Sequence, residues 1–147
     1  MEWLKPLRGR TVALDTAPFI YFIEKHSLYL PVLQPFFEAV ADGEIEIVTS
    51  TLTLTEVLIH PIRHGNQALA RRYASILLNA AHVTTLGVSP AIAIEAAQLR
   101  AIHGYKTPDA IHLATALSAH AGFFLTNDDA FLSTSSLQVL VLKQLAP

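Results

Sequence analysis

Short apolar runs of β-branched character alternate along this chain with helical stripes, and that alternation restricts the fold more than any other feature. Thr11-Val-Ala-Leu14, Ile45-Glu-Ile-Val48, Val83-Thr-Thr-Leu86, Phe123-Phe-Leu-Thr126 and the run from Leu137 to Leu142 read as strands. Helices are expected between them. Thr16 to Glu24 tolerates Pro18 in its first turn, and Pro31 to Ala41 carries apolar residues at 32, 33, 36, 37 and 40. Ser50 to His60 follows, with Pro61 marking a bend or break, and Asn66 to Ala80 is capped by Asn66. Ser89-Pro90 opens a helix to His103 that Gly104 closes, and Thr107 to Ala121 is closed by Gly122. Asp128 to Leu132 reads as a helical turn. Strands separated by helices imply an α/β fold with a central parallel sheet covered on both faces. With no internal repeat or linker, residues 1–147 read as one domain, long enough to bury roughly two-thirds of its unfolded surface.

Four carboxylates stand where these elements meet. They are Asp15 after the first strand, Glu56 in Thr53-Leu-Thr-Glu-Val57, Asp109 in Thr107-Pro-Asp-Ala-Ile-His112, and Asp128 in Leu125-Thr-Asn-Asp-Asp129. In such a fold the strand ends share one edge, where ligands bind, so acids remote in sequence can line one cleft. Each acid also has an ordinary explanation. Asp15 could cap a helix, and Glu56 has the capping-box spacing from Thr53, unless Ser50 or Thr51 caps one turn earlier and turns Glu56 inward. Asp109 could compensate a helix dipole from the second helical position, after a Thr107 cap, and either Asp128 or Asp129 suits a loop. His112, three residues after Asp109 and on the same side, could support the acids but reads more simply as a buried histidine, and Glu95 reads as a solvent-facing residue. The joint pattern carries the argument: clustered like charges need a cation, and hard oxygen-only ligands suit Mg²⁺ or Mn²⁺. Those ions move phosphoryl groups, which makes a metal-dependent nuclease the sharpest hypothesis.

Composition narrows the alternatives. Hydrophobic residues are 52% and charged residues 15%, which argues against disorder. The uninterrupted apolar runs fall far short of the ~20 residues of a membrane span, so the excess reads as a thick core plus a subunit or partner interface. Met1 to Arg10 lacks the features of a secretion signal, and a chain without cysteine can have no disulfide, thiolate nucleophile or cysteine-held metal. A cytoplasmic location fits. The net charge of −2 does not advertise a nucleic-acid partner. Local cations must then serve: Arg63, Arg71 and Arg72 fall close together, and Arg100 and Lys106 flank Asp109, although solvated helix faces explain them equally simply.

The stretch Thr107-Pro-Asp-Ala-Ile-His-Leu-Ala-Thr-Ala116, taken with Leu14-Asp15-Thr16, Thr55-Glu56-Val57 and Leu125-Thr-Asn-Asp128 in that order, resembles the PIN-domain ribonucleases, the class of the VapC toxins of toxin–antitoxin pairs. The resemblance covers almost the whole chain. It implies a three-layer α/β/α sandwich and an acidic quartet, Asp15, Glu56, Asp109 and Asp128, holding one or two Mg²⁺ or Mn²⁺ ions. Asp129 is the alternate for the fourth place. Thr16 and Thr126 match hydroxyl positions of the family's site, and Arg63, Arg71 and Arg100 are the expected substrate contacts beside them. Residues 16–41 and 66–80 resemble surfaces that the family uses for a homodimer and for a small antitoxin protein.

The expected reaction is hydrolysis of RNA, with toxin action as its biological setting. The alternative is a PIN-like RNA-processing or non-catalytic binding module without a toxin role. An aspartyl-phosphate phosphatase would want a second aspartate where Ala17 stands, and a receiver domain would want paired early acids and a late strand-end lysine.

Overall fold

The computed structural model describes residues 1–147. After a 3₁₀ turn at Glu2–Leu7 the chain runs β1 (Thr11–Leu14), α1 (Thr16–Ile23), α2 (Leu30–Ala41), β2 (Glu46–Ser50), α3 (Thr51–Arg63) and α4 (Gln67–Asn79). It continues with β3 (Val83–Leu86), α5 (Pro90–His103), α6 (Thr107–Ser118), β4 (Phe123–Thr126), β5 (Gln138–Val141) and α7 (Leu142–Leu145). The five strands form one sheet in the order β3-β2-β1-β4-β5, and every neighbouring pair is parallel. This is the expected parallel sheet flanked by helices. No helix is long and apolar enough to cross a membrane.

β1 lies at the centre, with Ala13 opposite Val48 on β2 and Phe124 on β4. Alternation along the strands sends Val12, Leu14, Ile47, Phe123 and Leu125 into one core, with Phe19, Phe36 and Tyr73. Ala13, Val48 and Phe124 enter the other, with Leu113 and Ala116.

Several boundaries differ from the sequence expectation for identifiable reasons. α3 does not break at Pro61, which is buried within its last turn, and it ends two residues later at Arg63. The N–H groups of His64, Gly65 and Asn66 close onto the carbonyls of His60, Ile62 and Pro61, so the reversal comes at Gly65 with φ +67. α6 stops at Ser118, because His120 takes a left-handed conformation with φ +53. Residues 128–132 turn at Asp129–Ala130 but form no helix. Two of their N–H groups go to side chains: Ala130 N–H to Asp128 Oδ1 at 2.9 Å, and Leu132 N–H to the Tyr105 hydroxyl at 3.3 Å. Leu142 leaves the last strand to start α7 and is fully buried in the larger core.

Candidate metal centre

All strands point the same way, so their C-terminal ends share one edge. Asp15 directly follows β1, α3 springs directly from β2, and Thr126 is the last residue of β4. α6 leads back into β4, so its first turn, carrying Asp109, lies at that same edge.

Asp15 occupies the N-cap position of α1, yet its side chain caps nothing. Instead Oδ2 accepts a 2.6 Å bond from Thr126 Oγ1 across 111 positions of sequence. Its other oxygen, Oδ1, is buried with no hydrogen-bond partner. Burial pushes this carboxyl up to about 6, with the nearby charges of Asp109 and Asp128 adding to the rise and Thr126 and His112 opposing it. A buried, unpartnered carboxylate oxygen is costly by itself and is matched by a cation.

The capping-box reading of Glu56 fails. Ser50 Oγ accepts from Leu52 N–H at 3.0 Å, so Ser50 is the cap and Glu56 lies a turn further in. There Oε1 accepts from Thr16 Oγ1 at 2.7 Å and meets His112 Nε2 at 2.8 Å. The bond from His112 holds the Glu56 carboxyl below its usual range, against the opposing effect of partial burial. His112 is therefore more than a buried histidine: it is 5% exposed and spans from α6 to α3. Sequence reasoning had its spacing from Asp109 but no sign of its partner 56 residues away.

Asp109 is the third residue of α6, one place later than expected, because Lys106 takes the N-cap position and no side chain caps the helix. Its carboxyl is raised first by burial and then by the charge of Asp128. Asp128 completes the group. Its N–H donates to Thr126 Oγ1 at 3.0 Å, so one hydroxyl ties it to Asp15. Asp129 turns away, is exposed, and stands 3.7 Å from Lys143 Nζ. The four acids thus sense one another electrostatically, although no three Asp, Glu or His side chains stand together in coordination geometry. The donor set is hard oxygen, and the orphaned Oδ1 of Asp15 fits a divalent cation such as Mg²⁺ or Mn²⁺.

The basic residues divide. Arg100 Nη1 donates to the Tyr105 carbonyl at 2.9 Å, just before α6. Arg63 lies two turns beyond Glu56 at the far end of α3, and Arg71 is exposed on α4; neither meets the acids. Asn127, which the sequence did not single out, fixes the loop by donating to Tyr21 Oη at 3.3 Å and accepting from Lys143 N–H at 2.9 Å.

Comparison with known families matches the PIN domain over residues 12–137. Among solved structures, VapBC2 from Rickettsia felis, bound to a DNA fragment from its promoter, superposes with a TM-score of 0.70 at 18% identity, over 89% of this chain and 98% of that one. FitAcB from Neisseria gonorrhoeae gives 0.64 at 15% identity, over 90% and 98%. VapC20 from Mycobacterium tuberculosis, a toxin that cleaves the sarcin–ricin loop, gives 0.63 at 16% identity, over 77% and 86%. Such identities establish a shared fold. No curated protein sequence matches.

Proposed function

The chain belongs to the PIN-domain family, and from that premise we propose that it is a metal-dependent endoribonuclease serving as the toxin of a toxin–antitoxin pair. PIN domains as a class are nucleases. The observation that carries the chemistry is the buried, unpartnered Oδ1 of Asp15 among three further acids. Asp15, Glu56, Asp109 and Asp128 hold Mg²⁺ or Mn²⁺, with Asp128 rather than Asp129 as the fourth acid because Asp129 faces Lys143. When bound, the ion supplies neutralising charge for the phosphodiester and acidity for the attacking water.

The chain's own part is to fix three of the four carboxylates by one oxygen and leave the other for the cleft. Thr126 holds Oδ2 of Asp15, Thr16 and His112 hold Oε1 of Glu56, and Ala130 N–H holds Oδ1 of Asp128. Anchored ligands lose little freedom when a cation arrives. They also stay ionised once it is bound, since coordination requires deprotonated oxygens.

The toxin reading draws on the structural neighbours, which are toxin–antitoxin proteins. A small antitoxin and a second copy of the chain are the protein partners this reading calls for. Ile59 and Ile62, exposed on α3 beside Leu58 and Arg63, line a shallow apolar surface that favours a protein partner there. Arg63, which lines that surface, is then better suited to that partner than to the scissile phosphate.

The test is incubation of purified protein with a mixed RNA pool, with and without Mn²⁺, followed by mapping of new ends. New ends should require Mn²⁺ and vanish in Asp109→Asn while circular dichroism shows the fold intact. Full activity in a contamination-free Asp109→Asn preparation would overturn the assignment.

A further inference from the structure

A cavity of about 380 Å³ opens between the α5–α6 turn and the segment after Asp128. We propose that it receives an unpaired base of the RNA beside the scissile phosphate, an inference that rests on the ribonuclease reading above.

Position comes first. Leu113 lines the cavity one helical turn after Asp109, about 6 Å along α6. Ala130 lines it from the other side, and its N–H is the one that Asp128 holds. A strand whose phosphate lies among the acids therefore passes the mouth of this cavity within about a nucleotide.

The lining suits a base. Leu99, Leu113 and Leu117 offer an apolar wall for a planar face. Tyr105 forms the flank, and its ring is fixed: it stacks on Phe131 at 5.7 Å and 24°, and Phe131 packs on Phe124 of β4 at 4.9 Å. A ring braced through two others to the central sheet is a preorganised stacking platform, the means by which single-stranded RNA is gripped. Donors ring the edge. The Tyr105 hydroxyl accepts from Leu132 N–H and Ser133 Oγ accepts from Val139 N–H, which leaves both hydroxyl protons to give to a base carbonyl.

Charge points the same way. No acidic residue lines the cavity, and the Arg100 guanidinium is bonded to the carbonyl of Tyr105, which does line it. That cation offsets the negative field of the acids along the path of the phosphates.

Two measurements decide the matter. In the first, a short RNA carrying a mapped cleavage site is made with single abasic positions on either side of the scissile phosphate. One abasic position should lower kcat/KM about tenfold in the wild type. It should add nothing further in Leu117→Trp, where the indole fills the cavity. An abasic penalty undiminished in Leu117→Trp overturns the proposal.

The second needs no turnover. Saturation-transfer NMR of the metal-free protein with the four nucleoside 5′-monophosphates should label base protons in the wild type and lose that signal in Leu117→Trp. Tyr105→Phe, which keeps the stack and removes the hydroxyl, should weaken the signal chiefly for bases with a carbonyl. Absence of signal with all four nucleotides, or a signal that survives Leu117→Trp in a protein shown to be folded, overturns the base site. If the wild type fails to cut RNA with Mn²⁺, the ribonuclease reading falls, and the NMR result still decides the cavity.

Discussion

One face of the sheet is packed by aromatic and long aliphatic side chains from α1, α2 and α4, the other by α6 in a smaller core. Phe19, Phe36, Tyr73 and Leu77 fill the first, and Leu113 and Ala116 of α6 meet Ala13, Val48 and Phe124 in the second, while Ala110 and Ala114 pack against α5. The bulky face buries far more apolar area and so contributes most of the stability. The α6 face has a different consequence. Small side chains at the contact, Ala116 on α6 and Ala13 on β1, let the helix approach the sheet closely, and fixing them costs no rotamer entropy. The helix that carries Asp109 and His112 is thereby set against β1 and β2, close enough for His112 to reach Glu56. Most of the stability thus lies on one face, and the α6 half of the site, Asp109 and His112, is positioned from the other.

The bluntest way to break this division is Phe36→Ala. Phe36 is wholly buried and lies 6.0 Å from Trp3 and 5.3 Å from Phe37, ring to ring. Urea unfolding should show a loss of about 3–5 kcal/mol. Cleavage per folded molecule should be unchanged in the cold. An active site crippled at a temperature where the variant is fully folded would contradict the separation.

Next in size is the electrostatic strain of the acid cluster without metal. The Asp15 carboxyl rises from 3.8 to about 6 on folding, mainly through burial. The folded state therefore binds this proton more tightly than the unfolded chain does. Its contribution is most favourable below about pH 4 and is lost as pH rises through 6, a change of about 3 kcal/mol. Glu56, held low by His112, works oppositely: its stabilisation is present above 4.5 and fades as pH falls. Asp15→Asn removes the larger effect and keeps an acceptor for Thr126. Its metal-free melting temperature should exceed that of the wild type at pH 7.5 and converge with it near pH 4. A lower melting temperature at pH 7.5 would remove the case for a cation-matched carboxylate.

Ala116→Leu sharpens the comparison from the α6 side. Ala116 is fully buried, and three added carbons should cost about 1–3 kcal/mol through overpacking. Here activity should fall by more than the lost folded fraction explains, because α6 must retreat and carry Asp109 and His112 with it. Comparing kcat/KM with the folded fraction from circular dichroism separates the two effects. Loss that tracks unfolding alone would mean that α6 has slack.

How much of this was legible in sequence depends on the range of the interaction. The parallel sheet followed from local periodicity, and the four acids from their places at strand ends and helix starts. Ser50 was one of three caps that local spacing allowed, with Thr51 and Thr53, and its bond to Leu52 N–H leaves Glu56 free to face inward. What spacing could not reveal were pairings across the fold: Thr126 with Asp15, and His112 with Glu56. Asp128 and Asp129 are chemically identical neighbours, distinguished only once Lys143 stands beside one of them. Residues 128–132 had helix-like composition, but side-chain acceptors from Asp128 and Tyr105 outcompete the helix for their N–H groups.

The smallest effect is the most local. Thr126 is fully buried, donating to Asp15 Oδ2 and accepting from Asp128 N–H, so one hydroxyl sets two of the four acids. Thr126→Val keeps the shape and removes both bonds, at a cost of about 1 kcal/mol in stability. Its effect on Mn²⁺ affinity should be larger in proportion, about tenfold weaker, because two ligands lose their orientation together. Calorimetric titration with Mn²⁺ measures this directly. Thr126→Ser, which restores the hydroxyl without the methyl group, should recover most of the affinity. If Val binds Mn²⁺ like the wild type and Ser binds it weakly, the methyl packing rather than the hydroxyl holds the acids in place.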